Sequence, residues 1–359
     1  VARSGFVVFF LLGFAAKGQA QFWESRSSGT SANLTGVHFA TTQLGVAVGD
    51  SGTILRSEDS GGTWQIVASP TGEDLRDVHA NSADTWFACG TNGTVLRSLD
   101  GALTWEILAT GVADALFGIR SPPGSMNVVA VGDGGRIIRS EDLGATWIFI
   151  PSGTVQMLRR VDFSGTSQGV AAGNSGVIVY SFDAGASWAP AASPTLNDLG
   201  GVELRGPVGF VVGEFGTLLK SEDGGVSWYQ IDIGLGADLY GVVFPVDSFY
   251  GFAVGQAGLV LRTDDGGFGW VQEPTETFAT LYDVALLDTE LGYAVGEGGT
   301  IQVRTLDSGD SVQGFLIFGA GGGGGSCSAG APAQSGPAIW AVATAALAAI
   351  CLARRRCRP

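Results

Sequence analysis

The feature that most restricts what this chain can fold into is a short segment, Ser57-Glu58-Asp59-Ser60-Gly61-Gly62-Thr63-Trp64, that keeps returning along it. It recurs from Ser140 to Trp147, Ser181 to Trp188 and Ser221 to Trp228, and in looser form from Ser98 to Trp105 and Thr263 to Trp270. The shared pattern is Ser/Thr-x-Asp-x-Gly-x-Thr/Ser-Trp. Its period near 41 residues points to a repeat architecture, one supersecondary unit per repeat, ahead of any single-site chemistry. A length of 359 residues therefore reads as one large repeat domain with terminal segments, not as two or three ordinary domains.

The unit can be written out. Leu-x-x-Val/Ile opens it seven times, at Leu34, Leu75, Leu116, Leu158, Leu199, Leu239 and Leu281. An apolar run closed by Gly follows, Val46 to Gly49 in the first unit, then the turn Asp50-Ser51-Gly52 and the β-branched run Thr53-Ile54-Leu55-Arg56. The box comes next, and its Trp begins a fourth extended stretch. Four short β runs joined by Gly, Asn and Asp turns, with no helical periodicity between 21 and 310, describe a four-stranded antiparallel sheet. Seven such sheets set radially make an all-β, seven-bladed β-propeller, which leaves only short protected edges. The last unit carries a decayed box, Thr305-Leu306-Asp307-Ser308-Gly309, with Val312 where Trp belongs, while Trp23 stands 41 residues before Trp64. The sequence thus predicts that an N-terminal strand from Trp23 to Ser27 completes the last blade and closes the ring.

The repeated carboxylates Asp59, Asp100, Asp142, Asp183, Asp223 and Asp265 invite a catalytic reading, but a catalytic group is needed once and a structural one in every blade. They are expected to bond backbone groups of their turns, with the box tryptophans Trp64, Trp105, Trp147, Trp188, Trp228 and Trp270 packing between blades. His38 and His79 share one inner-strand position, where other units carry Arg120, Asp162, Glu203, Val243 and Ala285. Two histidines without a carboxylate in register make a poor metal site, so neither metal nor cofactor is expected. The four cysteines, Cys89, Cys327, Cys351 and Cys357, form neither a disulfide framework nor a CxxC pair.

A binding face is predicted where the inner strands start and the turns between the second and third strands lie. The second inner-strand position supplies Arg76, Phe117, Arg159, Tyr240 and Tyr282, and the turns supply Asp50, Asp133, Glu214, Phe215 and Glu297. Aromatic and Arg side chains near a central channel, ringed by acids, suit a protein or glycan contact.

The box matches the Asp-box, or BNR, motif. The longer pattern Gly-x-x-Gly-Thr-Ile-Leu-Arg-Ser-x-Asp-Gly-Gly-x-Ser/Thr-Trp, fullest from Gly49 to Trp64 and from Gly213 to Trp228, resembles the photosystem II stability and assembly factor family over residues 23–312. That resemblance implies a seven-bladed, non-catalytic scaffold, lumenal or periplasmic, that holds a membrane-protein partner during assembly. Asp boxes also occur in sialidases and some endoglucanases, so a carbohydrate-binding or glycan-hydrolysing, sialidase-like propeller is the alternative. The Arg-Ile-Pro element and Arg cluster of a sialidase are not evident, and Arg56, Arg97, Arg139 and Arg262, with Lys220, sit at one repeat position.

Charge and termini bound the setting. Six of the 19 basic residues lie in the two terminal segments, which leaves residues 21–320 with 13 basic against all 34 acidic side chains, a balance of −21. Such a body repels nucleic acid at long range. Residues 1–20, with Arg3, an apolar run from Phe6 to Ala16 and small Gly18 and Ala20 at the cleavage positions, read as a signal peptide cut after Ala20. Residues 21–318 form the propeller, 319–337 a Gly-rich linker with Cys327, 338–353 a transmembrane helix and 354–359 a basic cytoplasmic tail. This tail resembles the tripartite C-terminal sorting signals of Gram-negative bacteria, including the myxobacterial type with Cys beside the helix. That likeness implies processing at Cys327 and display at the periplasmic face of the membrane or at the cell surface. The expected product is an exported monomer, anchored through its C-terminal helix, with a protein partner and a glycan as the second candidate ligand.

Overall fold

Each Leu-x-x-Val opening starts the innermost strand of a four-stranded antiparallel sheet, and seven such sheets are present in the computed structural model, which describes residues 22–245, 249–288 and 291–305. In the first blade the strands are Leu34–Phe39, Gly45–Gly49, Ile54–Ser57 and Gln65–Ile66, neighbours in that order. The second strand, Gly-Val-Ala-Val-Gly, is buried at every position because blades cover both of its faces, whereas the two-residue outer strand is exposed. Between the second and third strands lies one turn of 3₁₀ helix, Asp50–Gly52. Gly52 has φ +70, and a Cβ there would sit 2.1 Å from the Thr71 carbonyl oxygen, so glycine is required.

Each inner strand breaks register just after its Leu. Leu34 faces Gly49 but Gly36 faces Val48, which makes Thr35 an extra residue, a bulge repeated in all seven blades. The core is a set of inter-blade clusters. Trp64 packs with Val37 and Leu55 of its own blade and with Tyr293 and Val303 of the seventh, its ring 6.2 Å from that of Tyr293.

The ring closes through the strand Phe22–Arg26, which pairs antiparallel with Ile301–Thr305. Trp23 faces Arg304 and takes the place of a box Trp; it is fully buried, edge-on to Phe252 at 5.6 Å, and its Nε1–H donates to Glu273 Oε2 at 2.9 Å. The last box differs from expectation by one residue. Arg304 faces Gly292 as Ser57 faces Gly45, so Arg304, and not Thr305, holds the box serine position. Its buried guanidinium lies 4.8 Å from the centre of the Phe252 ring, with Nε 3.1 Å from Glu273 Oε2. A buried ion pair and an indole thus lie at the seam where Phe22–Arg26 and Ile301–Thr305 meet.

The rest of the expected last box from Leu306, the signal peptide with Ala20, the linker with Cys327, the apolar run 338–353 and the basic tail lie outside the described residues. Among the described residues no helix is long and apolar enough to cross a membrane.

Candidate functional site: the axial channel

The box carboxylates are consumed by their own turns. In the first, the Ser57 hydroxyl donates to Asp59 Oδ1 at 2.8 Å and accepts the Gly61 N–H at 2.8 Å. Asp59 also accepts the N–H and hydroxyl of Thr63 at 2.8 and 2.7 Å. Asp100, Asp142, Asp183 and Asp223 repeat this set, and Asp265 takes the N–H groups of Phe268 and Gly269. The hydroxyl and N–H of Thr104 hold the Asp100 carboxyl down to about 2, and those of Thr146 do the same for Asp142. The indoles of Trp188, Trp228 and Trp270 donate to the carbonyls of Gly185, Gly225 and Gly267, fixing the box against its strand.

On the opposite face a funnel of about 270 Å³ gathers Arg76, Phe117, Arg159, Tyr240 and Tyr282. The bulge places these second-position residues at the rim of the axis. Acids from the adjoining loops aim the guanidinium groups: Arg76 contacts Asp50 at 3.2 Å and Asp74 at 2.9 Å, and Arg159 contacts Asp198 at 3.0 Å and Asn174 Oδ1 at 2.6 Å. Tyr240 and Tyr282 meet edge-on at 5.7 Å. Burial, then the nearby carboxylates, raise both phenols, which stay protonated donors. Phe215 is not part of the funnel wall. It stands on its turn at φ 54, 68% exposed, where other blades carry Ser, Asn, Gly or Ala.

The third inner-strand position was not singled out in the sequence, yet it builds the axis. Arg160 lines both this funnel and a second cavity beyond it. Its Nη1 donates to the Phe117 carbonyl at 2.7 Å and its Nη2 to the Thr35 carbonyl at 3.1 Å, so one side chain spans several blades. Asp77 accepts the Ile119 N–H at 2.9 Å and Arg120 Nη1 at 2.7 Å, and Asp283 accepts the Val37 N–H at 2.9 Å. From the fifth position Asp162 accepts the Leu204 N–H at 2.8 Å, and Glu203 faces the Phe244 N–H at 3.5 Å. Each acid fastens the next blade. Burial raises Asp162 and Asp283 and pushes the Glu203 carboxyl up to about 8, against the opposing pull of Arg205.

His38 and His79 face each other, ring centres 4.9 Å apart. Burial and then Arg120 lower His38 to about 3, and burial and then its His38 neighbour lower His79, so both imidazoles are neutral at physiological pH. Among the described residues, no three His, Cys, Asp or Glu side chains are grouped to hold a metal ion.

Seven four-stranded blades with six boxes on one face define an Asp-box β-propeller. Residues 139–242 match the family described as photosynthesis system II assembly factor YCF48. Two solved structures with similar folds are YCF48 bound to D1 peptide (TM-score 0.68, 17% identity, covering 79% of this chain and 95% of that one) and YCF48 from Cyanidioschyzon merolae (TM-score 0.67, 18% identity, 79% and 98%). At that identity the likeness speaks to the fold. No curated protein matches the chain.

Proposed function

We propose that this chain is a non-catalytic scaffold that holds a segment of a protein partner in the funnel. The observation that carries this reading is the convergence of Arg76, Arg159 and Arg160 with Tyr240, Tyr282 and Phe117 on one concave surface of an otherwise acidic body. Aromatic and Arg side chains pre-aimed by acids supply charge-assisted donors for peptide carbonyls or carboxylates and rigid apolar contact beside them. Phe215 adds to this. A bulky residue in the left-handed region is strained, and an exposed one is retained for contact more readily than for folding. The name of one similar structure, YCF48 bound to D1 peptide, supports a peptide as the ligand. The box carboxylates, spent on their turns, offer no acid–base pair, which favours binding over glycan hydrolysis.

The test is crosslinking on intact cells. A photo-crosslinker placed near the funnel captures a defined protein, and the combined Arg76→Ala, Arg159→Ala, Tyr240→Phe variant loses that capture; capture unchanged in the variant removes the funnel from consideration. We further propose that the protein is exported and held at the membrane or surface of a Gram-negative cell, on the strength of residues 1–20 and 338–359. Protease added to intact cells then digests the propeller, whereas recovery in the cytosolic fraction refutes export.

A further inference from the structure

Around the funnel the rim alternates two kinds of segment, the loops that lead into the inner strands and the turns between the second and third strands. Over the fifth to seventh blades these interlock into one continuous arc. Asn197 Nδ2 donates to Thr217 Oγ1, the Phe215 N–H to Asp238 Oδ1, the Gln256 N–H to the Asp238 carbonyl, the Thr275 hydroxyl to the Gly258 carbonyl and the Glu297 N–H to the Thr280 carbonyl, each at 2.9 Å. On this arc bulky apolar side chains stand in water. The third residue before the opening Leu is Ser31, Gly72 and Ala113 ahead of the first three blades, but Leu196 ahead of the fifth and Phe278 ahead of the seventh. Leu196 is 84% and Phe278 93% exposed, and Phe215 and Leu235 lie exposed between them along the rim. A packing role would recur in every blade and would bury the side chain. A run of exposed apolar groups confined to one sector marks an interaction site.

Charge selects the occupant. Other rim acids hold guanidinium groups: Asp50 and Asp74 hold Arg76, Asp114 holds Arg136 and Asp198 holds Arg159. Glu214 beside Phe215, Glu276 beside Phe278, and Glu297 on the next turn form no ion pair among the described residues. We propose that this arc docks a segment of a protein partner that carries bulky apolar side chains flanked by lysine or arginine. Its apolar groups would cover Leu196, Phe215, Leu235 and Phe278, and its cations would meet the three glutamates. Anionic lipid and a second copy of this acidic chain fit less well, since either brings negative charge against those carboxylates. None of these residues lines the funnel. The inference rests on the scaffold reading in placing a protein partner on this face, and it adds a second, apolar and basic, chemistry to what that partner must present.

The full chain is titrated by calorimetry with an amphipathic helical peptide of leucine and lysine, and with the same peptide carrying glutamate in place of lysine. The lysine peptide binds and the glutamate peptide does not. Leu196→Ser with Phe278→Ser, which leaves the net charge alone, weakens the lysine peptide about tenfold or more. Glu214→Gln, Glu276→Gln and Glu297→Gln together also weaken it, whereas Glu58→Gln, Glu141→Gln and Glu222→Gln, the same charge removed from the box face, change it by less than about twofold. No binding of the lysine peptide, binding indifferent to the Leu196 and Phe278 changes, or equal losses from the two glutamate sets overturns the rim site. Side chains this exposed can be exchanged without unfolding the ring, and circular dichroism melts verify each variant. The funnel variant Arg76→Ala, Arg159→Ala, Tyr240→Phe keeps the affinity for the lysine peptide. Binding lost in that variant and kept in the rim variants overturns the rim site and leaves the funnel reading standing, so the two readings fail separately.

Discussion

Six box carboxylates on one face and the four acids of the axial ring, Asp77, Asp162, Glu203 and Asp283, both tie down backbone N–H groups, under opposite electrostatics. Each box Asp is exposed to water, saturated by its own turn and depressed in pKa where a shift is resolved. The axial acids are deep, reach into the next blade, and are raised at Asp162, Glu203 and Asp283. The box is local and repeated, so losing one leaves five intact. The axial fasteners differ from blade to blade, so each loss falls on one seam of the ring. Redundancy lies outside and specificity inside.

The most severe way to test that contrast is Asp77→Ala. It leaves the Arg120 guanidinium beside a buried position with its closest acceptor gone, and should lower stability by about 3–5 kcal/mol, seen as a Tm drop of roughly 5–10 °C by calorimetry. The double replacement Asp77→Leu with Arg120→Met should recover much of the loss, because no charge remains to be desolvated. A double variant as unstable as the single one would show that the ion pair is not the cause.

The pH dependence has opposite signs in the two rings. Glu203, raised from 4.5 to about 8, contributes stability that is full below about 4.5 and is lost as pH rises toward 8, since the unfolded chain ionises first. Glu203→Gln should therefore gain on the wild type across that window in urea midpoints. Asp100 and Asp142, lowered from 3.8 to about 2, contribute stability present above about 4 and lost as pH falls to 2. Asp100→Asn should blunt that acid loss. A wild-type-minus-variant difference that runs the same way with pH for both substitutions would abolish the distinction.

The smallest effect belongs to the single box at neutral pH. Asp100→Asn keeps its shape but weakens four charge-assisted bonds at the surface, about 1 kcal/mol or less. A loss as large as that of Asp77→Ala would mean the boxes are not redundant.

The outer ring was legible in the sequence because it repeats. Asp59 and Trp64 return at fixed offsets, and that alone orders the strands and predicts Trp23 as the closing residue. The funnel residues Arg76, Phe117, Arg159, Tyr240 and Tyr282 could also be grouped, since one position of a repeat occupies one radius of the disc. Arg160 and Asp77 escaped because the bulge after each Leu breaks the two-residue alternation; by simple alternation both would share the core side with Leu158 and Leu75. Arg304 escaped for a different reason. Thr305 is the residue type expected at the head of the last box, but the backbone register puts Arg304 at that position.

The pairing of Phe22–Arg26 with Ile301–Thr305 has a mechanical consequence. Phe22 faces Thr305, so the chain enters and leaves the ring at the same end of one ladder. A pull between these two points loads the backbone pairs in sequence, from Phe22 and Thr305 toward Arg26 and Ile301, and peels the seam open instead of shearing it. Tension transmitted along the chain would thus open the molecule at this blade before any other, with Trp23 leaving its pocket early in the process.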